Sequence, residues 1–336
     1  MPSHRKEDAP YADIRTIGIP RALMYHRYAP AWTAFFEALG RDVVVSRPTD
    51  ASLLERGAAL SVDECCLASK AYMGHVESLI GSCDAVFVAS LANLGRLASF
   101  CTKYQALPDL VRNTFAETDL RVVSCAVEAQ ETKTTMEDAF AGLGLDFGAT
   151  PKEAKAAVKA GRAALKAAES AAADELDRTL RGIERARKRA SGDGEDEPLA
   201  ILVAAHPYVA CDPLIGGPVI DALRDMGAAV LLAHDFDHAR ALKESKRFSS
   251  TMPWIVNREL VGAMLCLHER IDGIVLISAF PCGPDSMTND AIARHIEGKP
   301  LLTLTVDAQS GTAGLETRVE SFVDILRYRR KGGYLR

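Results

Sequence analysis

The chain has 336 residues, of which 48% are apolar and 25% charged; this is the composition of a soluble globular protein with room for two domains of ordinary size. Its formal net charge of −5 gives no whole-chain attraction to nucleic acid or to an anionic membrane. No apolar run reaches the ~18–20 residues needed to span a bilayer, and Met1–Pro10 lacks the apolar core of a secretory signal. A cytoplasmic protein is therefore expected, with its eight cysteines serving as core residues, metal ligands or redox groups rather than disulfides.

Residues 1–13 are expected to form a disordered tail, followed by an N-terminal α/β domain over 14–150. Thr16–Pro20 opens it as a strand. Trp32, Phe35, Phe36 and Leu39 recur at i, i+3, i+4, i+7, which predicts an amphipathic helix, and Gly40 is placed to end it. Asp42–Ser46, Ala85–Ala89 and Leu120–Val127 read as the second, third and fourth strands. Residues 151–197 make a helical segment and linker. Pro151–Ala190 is rich in strong helix formers and carries a thin stripe of Ala172, Leu176, Leu180 and Ile183, predicting one long helix or two. Ser191–Pro198 is an acidic, flexible linker. A C-terminal α/β domain over 198–336 repeats the plan. Its strands are Leu199–Ala205, Ala229–Ala233, Gly273–Ser278 and Leu301–Val306; its helices include Val219–Met226, Trp254–Glu269 and Gly314–Arg330. Strands alternating with helices predict parallel, doubly wound sheets, so the fold class is α/β with two pseudo-repeated domains.

Cysteines occupy equivalent places in the two halves. Cys101 follows the third strand of the first half, and Cys282, in Phe280-Pro-Cys-Gly-Pro-Asp285, follows the third strand of the second. Loops beyond the carboxyl ends of parallel strands collect ligands, so the pair is a candidate shared metal or redox site. Asp285 is placed to cap the helix that follows Cys282. Cys66, in Ser61-Val-Asp-Glu-Cys-Cys-Leu67, lies near a helix start, where a thiolate is favoured. Its neighbour Cys65 is divided between core packing and an extra ligand role. Cys83, Cys125 and Cys266 read as core. Cys211 lies beyond the first strand of the second half and is a further candidate ligand. His206, Tyr208 and Asp212 are candidates for acid–base work or for holding their loop by hydrogen bonds. Arg318 is a candidate for an anionic group or for an ion pair with Glu320. Phosphate-loop, dinucleotide and nucleophile-elbow motifs are absent from the sequence.

Several segments together resemble a known family. They are Ile17–Leu23, Val62–Leu67, Cys101–Asp109, His206-Pro-Tyr208, Phe280–Asp285 and Gly314–Phe322, and they span residues 15–330. In this order they resemble the acyl-CoA dehydratase activase-related proteins, relatives of the iron–sulfur components of 2-hydroxyacyl-CoA (2-hydroxyglutaryl-CoA) dehydratases. The resemblance implies two Rossmann-like, flavodoxin-like domains with a [4Fe-4S] cluster between them, held by Cys66, Cys101 and Cys282. It implies low-potential, one-electron chemistry of anaerobic metabolism, driven by an ATP-dependent activase acting in trans, because the nucleotide domain fused in longer relatives is missing. A dehydratase-type lyase and a reductase component are both open, with an acyl-CoA or a small molecule as substrate. Some relatives carry a double-cubane cluster instead. A homo- or heterodimer is expected. Pro20, Arg21, His206, Tyr208, Asp285 and Arg318 are the candidate substrate pocket. The chain departs from the family at Thr102, where proline is usual, and at Ala308 and Gln309, which replace an acid and a histidine. Those changes leave open a non-catalytic electron-transfer or accessory role. A metal-free, two-lobed small-molecule binding protein is the remaining alternative.

Overall fold

The computed structural model describes residues 9–189, 197–308 and 312–330. They group into two compact units. The first contains the described residues up to Asp63, Ser69–Ala168 and Pro253–Ile255; the second contains Glu64–Ala68, Glu169–Met252 and the described residues from Val256 onward.

The first unit is built from β1 (Thr16–Ile19), α1 (Tyr25–Ala38), β2 (Asp42–Val45), α2 (Ala51–Ala59), most of α3 (Leu67–Glu77), β3 (Ala85–Phe87), β4 (Ser90–Asn93), α4 (Thr102–Thr114), β5 (Val122–Val123), β6 (Ala126–Glu128) and α5 (Met136–Asp146). Its main sheet is parallel, in the order β2-β1-β3-β5. The predicted stripe of α1 supplies the core: the rings of Trp32 and Phe36 pack edge-on against Phe87 at 5.2 and 5.1 Å, and Phe35 against Phe140 at 5.0 Å. Gly40 follows the helix at φ +69, a conformation that glycine adopts without strain.

Two expectations are corrected here. The third strand stops at Phe87 and a further one, β4, follows beyond its expected end; the fourth breaks into β5 and β6, and β4 and β6 form a separate parallel pair. Backbone bonds run on through the break, with Val88 N donating to Val123 O and Ser90 N to Cys125 O, both at 2.9 Å. Each apolar run therefore reads as one strand, and only the pairing reveals the bend. Residues 9–13, read above as part of the tail, are anchored. Tyr11 N donates to Asp146 O at 3.0 Å, its ring lies 5.5 Å from Phe147, and Asp13 pairs with Arg121 at 2.6 Å. The rest of that tail, residues 1–8, lies outside the described residues.

The helical segment is a single helix, α6 (Pro151–Arg189), of 39 residues. A reciprocal cap starts it: Glu153 N donates to Thr150 Oγ1, and Thr150 N to Glu153 Oε2. Leu176, Leu180 and Ile183 of the stripe are buried. Residues up to Ala168 pack with the first unit and those from Glu169 with the second. Most of the acidic linker, residues 191–196, lies outside the described residues.

The second unit contains β7 (Ala200–Ala204), α7 (Pro207–Ala210), α8 (Gly217–Asp225), β8 (Ala229–Leu232), α9 (His238–Glu244), most of α10 (Ile255–Leu267), β9 (Gly273–Ala279), α11 (Gly283–His295), β10 (Leu301–Val306) and α12 (Thr312–Arg330). Its sheet is parallel and ordered β8-β7-β9-β10. Relabelled from the start of each unit, both sheets read 2-1-3-4, which is the expected pseudo-repeat. β7 and β9 are buried along their whole length, as central parallel strands are. Asp272, just before β9, accepts from Ala200 N at 2.6 Å and from Arg330 at 2.7 Å, and also pairs with Arg187. No helix among the described residues is long and apolar enough to cross a membrane.

Candidate functional site

In a 2-1-3-4 sheet the connections leave the first strand to one side and the third to the other. A crevice opens at the carboxyl ends of those two strands. In the second unit they are β7 and β9. β7 ends at Ala204 and delivers His206; β9 ends at Ala279 and delivers Phe280, Pro281 and Cys282. Cys282 is the residue from which α11 springs, and Pro284 in the first turn fixes the helical start.

His206, Cys282 and Asp285 converge at this point, with one donor atom from each lying within 4.8 Å of the others. Nδ1 of His206 is 3.0 Å from both carboxylate oxygens of Asp285. An ionised carboxylate only accepts, so Nδ1 carries the hydrogen. Asn257 of α10 donates its Nδ2 to Asp285 Oδ1 at 2.9 Å, and the Cys282 thiol donates to the same carboxylate. The side chains of His206 and Asp285 are 7% and 5% exposed. The ring of Tyr208 stacks on His206 at 4.9 Å, with 16° between the planes.

The electrostatics follow from this wiring. Burial works against ionisation of Asp285, but the neighbouring His206 and the hydrogen bonds from His206, Asn257 and Cys282 outweigh it. The carboxyl is held below its ordinary range. Cys282 responds in the opposite sense: burial, then the charge of Asp285 and the neighbouring Cys66, raise its pKa, while the backbone N–H of Asp285 pulls the other way. A cavity of ≈10 Å³ lies beneath, lined in part by Asn257, Asp285 and Thr288. It has room for about one water molecule.

Two further corrections concern these residues. Asp285 makes no capping hydrogen bond to α11; its acceptors are spent on His206, Asn257 and Cys282. Asn257 was missed altogether. The signal available was a run of three polar residues, Asn257-Arg258-Glu259, in an otherwise apolar helix; all three are buried.

The remaining candidates are distributed as follows. Cys66 immediately precedes α3 and belongs to the second unit. The next residue, Leu67, donates its N–H to Phe280 O at 2.8 Å, and Cys66 stands close enough to Cys282 to act on its thiol. Cys65 is buried. Cys101 belongs to the first unit, as the N-cap residue of α4, and follows β4 and a loop rather than the third strand directly. Cys66, Cys101 and Cys282 thus each stand directly before a helix. Cys211 ends α7 with its Sγ 3.4 Å from His234 Nε2, and burial, Asp235 and Asp212 push its thiol up to about 11. It belongs to another cluster than His206, Cys282 and Asp285. Asp212 Oδ1 accepts from Leu214 N and Ile215 N at 2.8 and 3.0 Å, holding its own loop.

Of the candidate substrate pocket, the structure brings together His206, Tyr208 and Asp285. Pro20 and Arg21 follow β1 in the first unit. Arg21 donates its N–H to Ser46 Oγ at 2.8 Å and its Nε to Ser46 O at 3.1 Å. Arg318 donates to Thr303 O at 2.7 Å, which ties α12 to β10 in place of the expected ion pair. Of the departures from the family pattern, Thr102 opens α4 and Ala308 follows β10, while Gln309 lies outside the described residues.

A protein-family model described as the CoA enzyme activase uncharacterised domain matches residues 16–235. The chain belongs to that family. The CoA enzyme activase match includes Cys66, Cys101, His206 and Cys211, and it ends before Cys282 and Asp285. Comparison with curated proteins finds no match.

Proposed function

We propose that this member of the CoA enzyme activase-related family is an iron–sulfur protein whose [4Fe-4S] cluster is held by Cys66, Cys101 and Cys282. The supporting observation is that the segments carrying Cys66 and Cys282 are tied together within the second unit, Leu67 N donating to Phe280 O at 2.8 Å, with each cysteine at the start of a helix. Thiolates are the ordinary ligands of such clusters, and three of them would leave one iron position for a ligand from outside the chain. When bound, the cluster supplies a low-potential one-electron carrier. The chain's own contribution is to bind and orient. The N-terminus of α11 and the Asp285 N–H stabilise the Cys282 sulfur as an anion once its proton leaves. Asp285, fixed by His206 and Asn257, keeps the first turn of α11 in place. His206 and its stacked Tyr208 form a rigid wall at the strand ends.

The reading extends to a separate ATP-dependent activase as electron donor. It also extends to an acyl-CoA or a small molecule as acceptor, in a lyase-type dehydration or a reduction. The test is oxygen-free purification with iron and sulfide counts and EPR spectra before and after reduction. About four irons per chain are expected, lost in Cys66→Ser, Cys101→Ser and Cys282→Ser. About eight would replace the single cluster by a double cubane. Full iron in Cys101→Ser, or none in the native chain after reconstitution, refutes the reading.

A further inference from the structure

We propose that His206, Cys282 and Asp285 form a mononuclear site for one divalent first-row transition metal, zinc or ferrous iron, built by the second unit alone. This goes beyond the cluster reading and does not depend on it, since neither Cys66 nor Cys101 takes part. The two groups share Cys282, so a chain holds one or the other.

The donor set decides the class of ion. One imidazole, one sulfur and one carboxylate suit zinc and its first-row neighbours, whereas magnesium and calcium prefer oxygen alone. Spacing agrees. Zinc–ligand bonds of about 2.0–2.3 Å in tetrahedral geometry set neighbouring donors roughly 3.2–3.7 Å apart. Here Nδ1 of His206 lies 3.0 Å from the carboxylate, and the three donors fall within 4.8 Å of one another, so adjustments of about an ångström close the site once the Nδ1 hydrogen passes to Nε2. The supports are already built. Asn257 fixes Asp285 from behind, and Tyr208 fixes the plane of His206, as outer-shell partners do around metals. Charge also balances. The ion displaces the Cys282 proton to solvent, about one per metal bound; the thiolate and the Asp285 carboxylate together neutralise a dication in a buried setting. Three protein ligands leave the fourth tetrahedral position open, the pattern of a catalytic rather than a structural centre.

The experiment uses the full chain carrying Cys66→Ser and Cys101→Ser, freed of metal with chelator under argon and titrated with Co²⁺ alone and then Zn²⁺ alone. The expected result is one Co²⁺ per chain with a sulfur-to-cobalt charge-transfer band that Zn²⁺ abolishes. The Kd should rise at least tenfold on adding His206→Gln or Asp285→Asn, and the band should disappear on adding Cys282→Ser. Circular dichroism identifies any variant that fails to fold. In that event Asn257→Ala, which leaves every ligand in place, decides by a weakened but measurable affinity. Absence of Co²⁺ binding by the folded double variant overturns the proposal, as does binding indifferent to His206, Asp285 and Cys282. Loss of iron–sulfur loading in the native chain bears only on the cluster reading, so the two failures are separable.

Discussion

Replacing Asp285 by asparagine tests the wiring of the site through stability alone. Asp285 is buried, its side chain 5% exposed, and its carboxylate receives hydrogen bonds from His206 at 3.0 Å and Asn257 at 2.9 Å. An amide keeps one acceptor oxygen but turns an NH2 group toward one of these donors, whichever way it is flipped. Bonds to a charged acceptor contribute about 1.5–3 kcal/mol each, and a buried donor left unpaired costs about 1–3 kcal/mol more. A loss of about 3–4 kcal/mol is therefore expected for Asp285→Asn. With a urea slope of about 1–3 kcal/mol/M, the midpoint falls by roughly 1–4 M. The assay is urea unfolding of metal-free protein at pH 7, followed by circular dichroism. Asp290→Asn, on the same helix, is the control. Its pair with Arg294 is 60% and 70% exposed, so its removal should change stability by less than about 0.5 kcal/mol. The acid side gives a second signature. A depressed carboxyl pKa contributes stability that is present above the ordinary value and lost as pH falls through the folded one, so Asp285→Asn should flatten that fall. Midpoints for Asp285→Asn and Asp290→Asn that coincide within error refute the argument.

Three further outcomes are expected. His75 is fully buried between Ser46 and Thr49, at 2.8 and 3.0 Å, and burial first, then the charges of His26, Arg21 and Arg47, push it down to about 3. Because the folded pKa is depressed, stability should fall as pH drops from about 6.5 toward 3, by a few kcal/mol, and His75→Gln should reduce that slope in pH-dependent thermal melts. Gly262→Ala would set a methyl 1.9 Å from Ala241 O, where α9 meets α10. A loss of at least about 1–3 kcal/mol is expected in denaturant titration, and an unchanged midpoint would mean that the two helices separate freely. Burial pushes the thiol of Cys125 up to about 12, so it should alkylate at least tenfold more slowly than unfolded cysteine at pH 8, as read by mass mapping.

Much of this molecule is written locally. The i, i+3, i+4, i+7 stripe of α1, the apolar runs of β7 and β9 and the glycine stops after α1 and α8 depend on neighbours a few residues away, so periodicity exposes them. The same holds for the repeat: two halves with one order of strands and helices fold to one sheet order. The placing of Cys66, Cys101 and Cys282 before helices is equally local. What sequence alone left undecided is set by pairing across long separations. The bends that divide β3 from β4 and β5 from β6 appear only in the ladder between them. Asp285 reads as a helix cap because capping is a local habit; it becomes the acceptor of a site because His206, 79 residues away, and Asn257, 28 residues away, are brought to the same crevice. A buried carboxylate must find donors wherever the fold delivers them, and that delivery is a property of the tertiary structure.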